Sequence, residues 1–543
     1  NASVAIGIGA VTTRANQITL GTSTNINSTY FNAVKDKTTV TIPNLSGDNY
    51  AIVLANSDET LYRYEADSLG GGGGGGYDDL NCTGNGDNAV CYGPGANATG
   101  KNTTAIGAYA NAATSLKTTE LAATAIGSNS KAGERYSTAI GANAKAQDNR
   151  TTAVGAGASA THNASSAFGF NATASGYRSQ TFGAYTEATQ NATTALGYSA
   201  TALANRSIAM GSFANASENA AIAIGVSANA SGLQSLAIGS NASASCQKAI
   251  AVGRGSEASG FSSTAIGVDS IANKGNAQAI GHSAVASEIN ATAIGTNAEA
   301  SGKYSSSFGT EANATAEDAI AVGFLASASG DDSIAIGTSA VANKANTTAI
   351  GTEAKASGEN STASGDSTTA SGTNSAAFGF KATASGGDST SIGKGSRATH
   401  QGSTAIGHDA HATAIRTTAV GTGSKANAQC ALAVGWKANA TAVNATAVGY
   451  TANAEGVNST AIGTSAQATA NYSSAYGTVA NASGHASIAF GANANANKTA
   501  AIALGVNSIA SGANSSTFGT QSSATAEDAI AVGHSAAASG IDA

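Results

Sequence analysis

Ser459-Thr460-Ala461-Ile462-Gly463-Thr464-Ser465-Ala466-Gln467-Ala468 decides how this chain folds, because the same arrangement returns at a fixed interval along most of the sequence. Each copy carries Ala, an apolar residue and Gly in succession. Aligned on that Gly, the copies run from Gly127 through Gly141, Gly155, Gly169 and Gly183 to Gly533 without insertion or deletion, as a series of thirty equal repeats. An earlier copy ends at Gly107, one irregular step upstream. A fixed period of this length is the mark of a stacked-repeat architecture.

The repeat core is illustrated by Ile126, Gly127 and Ala132, by Ile140, Gly141 and Ala146, and by Ile266, Gly267 and Ala272. Five residues after the Gly, Ala is invariant; three after it stands Ala, Ser or Thr. The residue before the Gly is apolar in every copy except the one with Ser364. Helices need apolar spacing near 3.6 residues and are weakened by frequent Gly, whereas Ala-x-Ala bounded by Gly has the period of a strand. Each repeat therefore predicts two short strands with a turn after each. Fourteen residues cannot enclose a core alone, so the chain must coil, stacking equivalent strands in parallel ladders about 4.8 Å apart. The fold class is all-β, a parallel β-roll or β-solenoid of 14-residue coils. Thirty such coils predict a rod on the order of 140 Å long.

In the second strand, Ala alternates with polar groups such as Asn143, Lys145, Glu353 and Lys355, giving one buried and one wet face. In the first strand, Ala and the apolar residue are adjacent and point to opposite faces. With Ala lining the narrow interior, the apolar stripe needs a cover, and a second copy of the chain is the simplest one. The opposite assignment, with the apolar residue inside and Ala outside, would permit a monomer.

Composition narrows the function. The 543 residues carry 25 basic and 32 acidic groups, a net charge of −7, and only 10% are charged, against about 25% in ordinary domains. An acidic chain of this kind argues against nucleic acid as a partner. No stretch reaches the roughly 18 apolar residues that a membrane helix needs, so a soluble chain with no membrane insertion is expected. Blocks are duplicated at an offset of fifteen coils, as in Ser305–Gly309 and Ser515–Gly519, which suits selection for length.

The motif Ser263-Thr264-Ala265-Ile266-Gly267, with its partner at 459–468, resembles the head repeat of YadA-type trimeric autotransporter adhesins over residues 102 to 543. The resemblance implies a left-handed roll, a homotrimer, an extracellular or cell-surface location, and binding to a surface, matrix or carbohydrate ligand. No neck, heptad stalk or C-terminal anchor-barrel pattern accompanies the repeats, so a virus fibre shaft or a free extracellular fibril is the alternative.

Upstream, residues 1–69 read as a small N-terminal β module, with Ser3–Gly7 resembling one repeat core and strands expected at 38–42, 50–54 and 61–64. Residues 70–101 read as a Gly-rich linker or loop. In it, Gly70 to Gly76 form a tether rather than a phosphate cradle, since no Lys-Ser/Thr follows them. Cys82 and Cys91 are candidates for a local disulfide, while Cys246 and Cys430 are expected as buried free thiols. Residues 102–543 form the rod. The sequence stops partway through a coil at Gly540–Ala543, which is expected of a longer protein; the second explanation is a head-to-tail filament in which the next subunit's N-terminal module covers the open edge.

Asn-x-Ser/Thr sequons recur along the chain, for example at Asn81, Asn97, Asn102, Asn163, Asn171, Asn191, Asn205, Asn215, Asn229, Asn241, Asn290, Asn313, Asn439, Asn444 and Asn481, and are candidates for N-glycosylation expected on the wet side of the second strand or in the turn after it. His400, His408 and His411 fall in neighbouring coils without a matching ligand set, and read as surface scatter rather than a metal site. Neither a catalytic constellation nor a cofactor motif rises above the repeat, so no enzyme activity and no cofactor are expected. An ice-binding face lacks its regular Thr ladder, and a carbohydrate-modifying solenoid lacks its loop insertions.

Overall fold

A computed structural model of the chain describes residues 88–112 and 122–543, together with the backbone of six short upstream strands, Val4–Ile6, Gln17–Leu20, Phe31–Asn32, Tyr50–Ala55, Thr60–Glu65 and Thr83–Gly84. The chain divides into two compact units, Asn1–Ser227 and Ala228–Ala543.

Each unit contains the coil that the repeat predicts: a parallel β-solenoid without helix among the described residues. In the first unit, Thr124–Ile126 pairs in parallel with Thr138–Ile140, and Lys131–Ala132 with Lys145–Ala146, each at a 14-residue offset. In the second unit, Leu236–Ile238 pairs with Ile250–Val252 and Ser243–Ala244 with Glu257–Ala258 in the same manner. From Thr124 onward the first strand of each coil has three residues and the second has two, while in the coil of Thr104–Ile106 the second strand is reduced to a bridge at Asn111.

Two turns per coil close the roll, and both place the third turn residue in the left-handed region. In the coil of Gly141, the Ala144 amide donates to the Gly141 carbonyl and Asn143 has φ 59°. In the preceding second turn, the Ser137 amide donates to the Glu134 carbonyl and Tyr136 has φ 57°. This is the type II geometry, which prefers Gly or Asn, yet Tyr, Arg, Ala and even Val479 occupy it here. The ladder holds them there, because each turn also bonds the turn one coil away, as in Asn143 N–H to Ser128 carbonyl at 2.8 Å.

The reference Gly is fixed for two reasons. Gly127 has φ +124°, and a Cβ on it would lie 2.6 Å from the carbonyl carbon and oxygen of Gly141 in the next coil. No L side chain fits a position that combines this φ with backbone stacked directly above it.

The interior is built from small residues only. Ala125, Ala139 and Ala153 from the first strand, with Ala132, Ala146 and Ala160 from the second, are fully buried. The position three after the Gly and a fourth interior column, four before it, complete the lining: Ser137, Thr151, Ser165 and Ala221 in the first unit, Ser263 and Ala277 in the second. A buried hydroxyl at either position can cap its own turn: Ser130 Oγ donates to the Gly127 carbonyl at 2.8 Å and Thr151 Oγ1 to the Asp148 carbonyl at 2.6 Å. Not every member of the fourth column makes it: the hydroxyls of Ser165, Ser207, Ser375, Ser389, Ser459 and Ser487 are buried without a hydrogen-bond partner.

Ala therefore faces inward and the apolar residue outward, which removes the opposite assignment. Val90–Tyr92 already pairs with Thr104–Ile106, and Thr83–Gly84 with Asn97–Ala98, both at the 14-residue offset, so the ladders reach upstream of residue 102 into the stretch assigned as linker. Thr104–Ile106 pairs with Thr124–Ile126 at a 20-residue offset, the irregular step of the sequence. In the N-terminal region, Val4–Ile6 pairs in parallel with Gln17–Leu20, Val4 opposite Ile18, again at the offset of one coil; Gln17 and Ile18 pair antiparallel with Asn32 and Phe31. Tyr50–Ala55 and Thr60–Glu65 form an antiparallel pair. The expected strand at 38–42 and the glycine run at 70–76 lie outside the described residues.

Candidate interaction surface

Three features of the coil project side chains outward in register: the first-strand face, the first turn and the second strand with its following turn. Because each is rebuilt in every coil, a side chain on one coil stands directly beside its counterpart on the next.

The first-strand face carries the apolar residue before the Gly and the residue two earlier. In the first unit, Ile208, Met210, Ile222 and Ile224 are all half-exposed on adjacent strands. In the second, Leu236, Ile238, Ile250 and Val252 repeat the arrangement, as do Ile320, Val322, Ile334 and Ile336. Ile140 is 37% exposed and Ile266 39%. Within each unit these columns form an apolar face far longer than the scattered exposed residues of ordinary domains.

The first turn carries aromatic rows that the sequence reading did not single out. Phe170, Tyr185, Tyr198 and Phe213, on four successive coils, meet edge to face with centroids 5.3, 5.8 and 5.3 Å apart. In the second unit, Trp436 stacks on Tyr450 at 4.5 Å with Lys437 Nζ 4.3 Å from the indole centre. The available signal was an aromatic residue one or two positions after the reference Gly in consecutive copies.

A profile of the YadA head domain repeat matches the chain in successive windows from residues 85–110 to 524–543, covering most of its length. The chain belongs to the YadA head-repeat family. A search of curated proteins gives no match. Each YadA head-repeat window spans about two coils, and so takes in the reference Gly and the Ala columns together with the outward rows.

The candidate sequons of this YadA-type head named above fall, where described, on three parts of the coil. Asn97, Asn215, Asn229, Asn313, Asn439 and Asn481 lie on the outward side of the second strand. Asn102, Asn163, Asn191, Asn205, Asn290 and Asn444 lie in the turn that follows it. Asn171 and Asn241 do not: both sit in the first turn, with φ 50° and 57°, which corrects the expected placement. Asn81 and Cys82 lie outside the described residues. Several of these amides bond along the stack, as Asn439 Nδ2 to Asn453 Oδ1 at 2.8 Å and Asn444 Nδ2 to Asn458 Oδ1 at 2.9 Å.

Cys91 is disulfide-bonded, and its expected partner is the undescribed Cys82. Cys246 and Cys430 are free, but neither is buried: Cys246 is half-buried and Cys430 exposed, because both belong to the second turn, not to the interior. The three neighbouring histidines are not brought together. His400 lies in a second turn, His408 in the next first turn, where it pairs with Asp409 at 3.5 Å, and His411 on the second strand. His411 stands between Arg397 and Lys425 on the adjacent strands. Partial burial first, then these two cations, push its pKa below the usual 6.5, while Asp409 opposes them. Among the described residues, no group of three or more His, Cys, Asp or Glu is placed to hold a metal ion, and no helix is long and apolar enough to cross a membrane.

Proposed function

We propose that the chain is a non-enzymatic, extracellular or cell-surface fibre segment that self-associates through its first-strand face and presents its turns to a surface, matrix or carbohydrate. The observation that carries this is the apolar column before the reference Gly, half-exposed coil after coil on a roll whose interior is already filled by Ala, Ser and Thr. Burying such a column against sister chains gains about 25 cal/mol per Å² of apolar surface, while leaving it in water invites uncontrolled association. Membership of the YadA head-repeat family supports three chains as the closed arrangement. In a cell that glycosylates secreted proteins, the outward asparagines of the second strand, such as Asn215, Asn229, Asn439 and Asn481, take the glycans, since they stand on the face opposite the core.

Sedimentation of the full chain with Ile208→Gln, Ile222→Gln and Ile224→Gln together tests the association. Wild-type trimers and dissociated variants with unchanged β-sheet circular dichroism are the expected result; a monomeric wild type would overturn the proposal. Intact mass of material from a glycosylating host tests the glycans, and a bare mass of 52.1 kDa excludes them.

A further inference from the structure

The second turn of the first unit carries an alternation that the repeat itself does not require. Its left-handed position is Arg150, Ala164, Arg178, Ala192, Arg206 and Ala220 on six successive coils, all with φ between 54° and 60°. The order along the stack is set by backbone bonds: the Arg178 amide donates to the Asn163 carbonyl, Ala192 to Tyr177, and Arg206 to Asn191. An Arg thus recurs every second rung, at an interval of about 10 Å, with only an Ala methyl at the position between.

Around Ala192 this makes a groove lined by Tyr177, Arg178, Asn191, Asn205 and Arg206. The Oδ1 of Asn191 accepts from the Tyr177 amide at 3.3 Å, and the Oδ1 of Asn205 from the Asn191 amide at 3.2 Å. Both amide oxygens therefore already accept from the backbone, and each Nδ2 is a donor. Guanidinium has no acceptor at all. Arg178 lies over the Tyr177 ring at 4.9 Å, and none of the ion pairs among the described residues involves Arg150, Arg178 or Arg206. Between Asp148 and Glu218 the sequence holds a single carboxylate, Glu187, which projects from the second strand and does not line the groove.

A groove whose side chains offer donors, with cations rooted at a two-rung interval, selects a linear partner with acceptors and negative charge at that spacing. We infer that the groove spanning Arg178 to Arg206 binds an extended acidic polysaccharide carrying one carboxylate per disaccharide, each carboxylate meeting one guanidinium and the intervening sugar lying in the Ala192 notch. Two extended β-linked sugar rings span about the distance of two rungs, and the planar fork of Arg matches a carboxylate in two-point contact. The inference deepens the adhesive reading by naming the ligand class, and it requires Asn191 and Asn205 to be unglycosylated, although both begin sequons.

The test is calorimetric titration of the full chain with an oligosaccharide of alternating glucuronate and N-acetylglucosamine, beside a neutral chito-oligosaccharide of the same length. Binding of the acidic probe alone is expected, weakened roughly tenfold or more by Arg178→Ala with Arg206→Ala. Ala already occupies the same left-handed position at 164, 192 and 220, so the variant keeps the turn. Lys248→Ala, at the equivalent position in the second unit, removes a charge without touching the groove and is expected to leave affinity unchanged. Failure to bind the acidic probe, equal binding of the neutral one, an indifferent double variant, an equal loss with Lys248→Ala, or glycan mass on Asn191 or Asn205 would each overturn the inference. Sedimentation of the same samples separates it from the association proposal, since the double variant leaves the apolar face intact.

Discussion

Ala139 and Ile140 are consecutive residues of one three-residue strand; Ala139 is fully buried, and Ile140 is 37% exposed on the opposite face. The same strand thus supplies the filled interior and the open exterior. Ala139→Leu adds volume that the neighbouring Ala125 and Ala153 cannot yield, and is expected to destabilise by about 2 kcal/mol. Ile140→Ser removes nothing from the core and is expected to shift the folding of a single chain by less than about 0.5 kcal/mol. Urea unfolding of the two variants checks the contrast, and sedimentation reads any loss of association in Ile140→Ser.

The stacked glycines give a second paired test. Gly127 at φ +124° and Gly402 at φ +65° both lie at positive φ, but an added Cβ on Gly127 strikes the Gly141 carbonyl whereas one on Gly402 meets the Arg416 Cγ at an ordinary 3.6 Å. Gly402→Ala is expected to cost about 1 kcal/mol in backbone strain alone. Gly127→Ala costs more, by the displacement of a rung, and amide exchange around Ile140 and Gly141 is expected to accelerate only in that variant.

Val479 is a β-branched residue at φ 57° in a first turn, half-exposed between the turns of Ser465 and Asn493. Replacement by Asn, which tolerates the left-handed region, is expected to raise stability by about 1 kcal/mol. A higher melting temperature with an unchanged far-ultraviolet spectrum would be the confirming result; a lower one would mean that Val479 gains more from packing than it loses in strain.

His411 sets a pH dependence of known sign. Its folded pKa lies below the ordinary 6.5, so the unfolded chain takes up its proton first. The contribution is therefore whole above that value and is lost as pH falls through it toward the folded pKa. His411→Asn is expected to flatten this part of the profile, measured as urea midpoints between neutral and mildly acidic pH. Lys425→Gln instead removes one of the two cations and is expected to make the loss along the same limb smaller.

The coil, its two ladders and the inward Ala column were legible because so short and constant a period leaves few geometries for Ala-apolar-Gly. Which turn positions would be left-handed was not legible, since Tyr136, Arg150 and Val479 violate local preference and are held by bonds to the next rung, a tertiary effect. The fourth interior column was hidden for a related reason: Ser137 and Thr151 look like surface residues until the turn carbonyls that satisfy them are in place. Cys430 failed in the opposite sense, an apolar-looking residue assigned inward that a turn carries outward. The Arg178–Arg206 groove escaped because its period is two repeats, longer than the unit on which the sequence was aligned.

The 20-residue step between Ile106 and Ile126 has a consequence for how such a chain finds its native arrangement. Elsewhere, sliding one ladder by a whole coil would juxtapose nearly the same alanines, so the interior by itself distinguishes poorly between correct and frameshifted docking. An interval that occurs once among the described rungs breaks that degeneracy, much as a single odd tooth fixes the closure of a zip. Zipping that starts there has one register to propagate from.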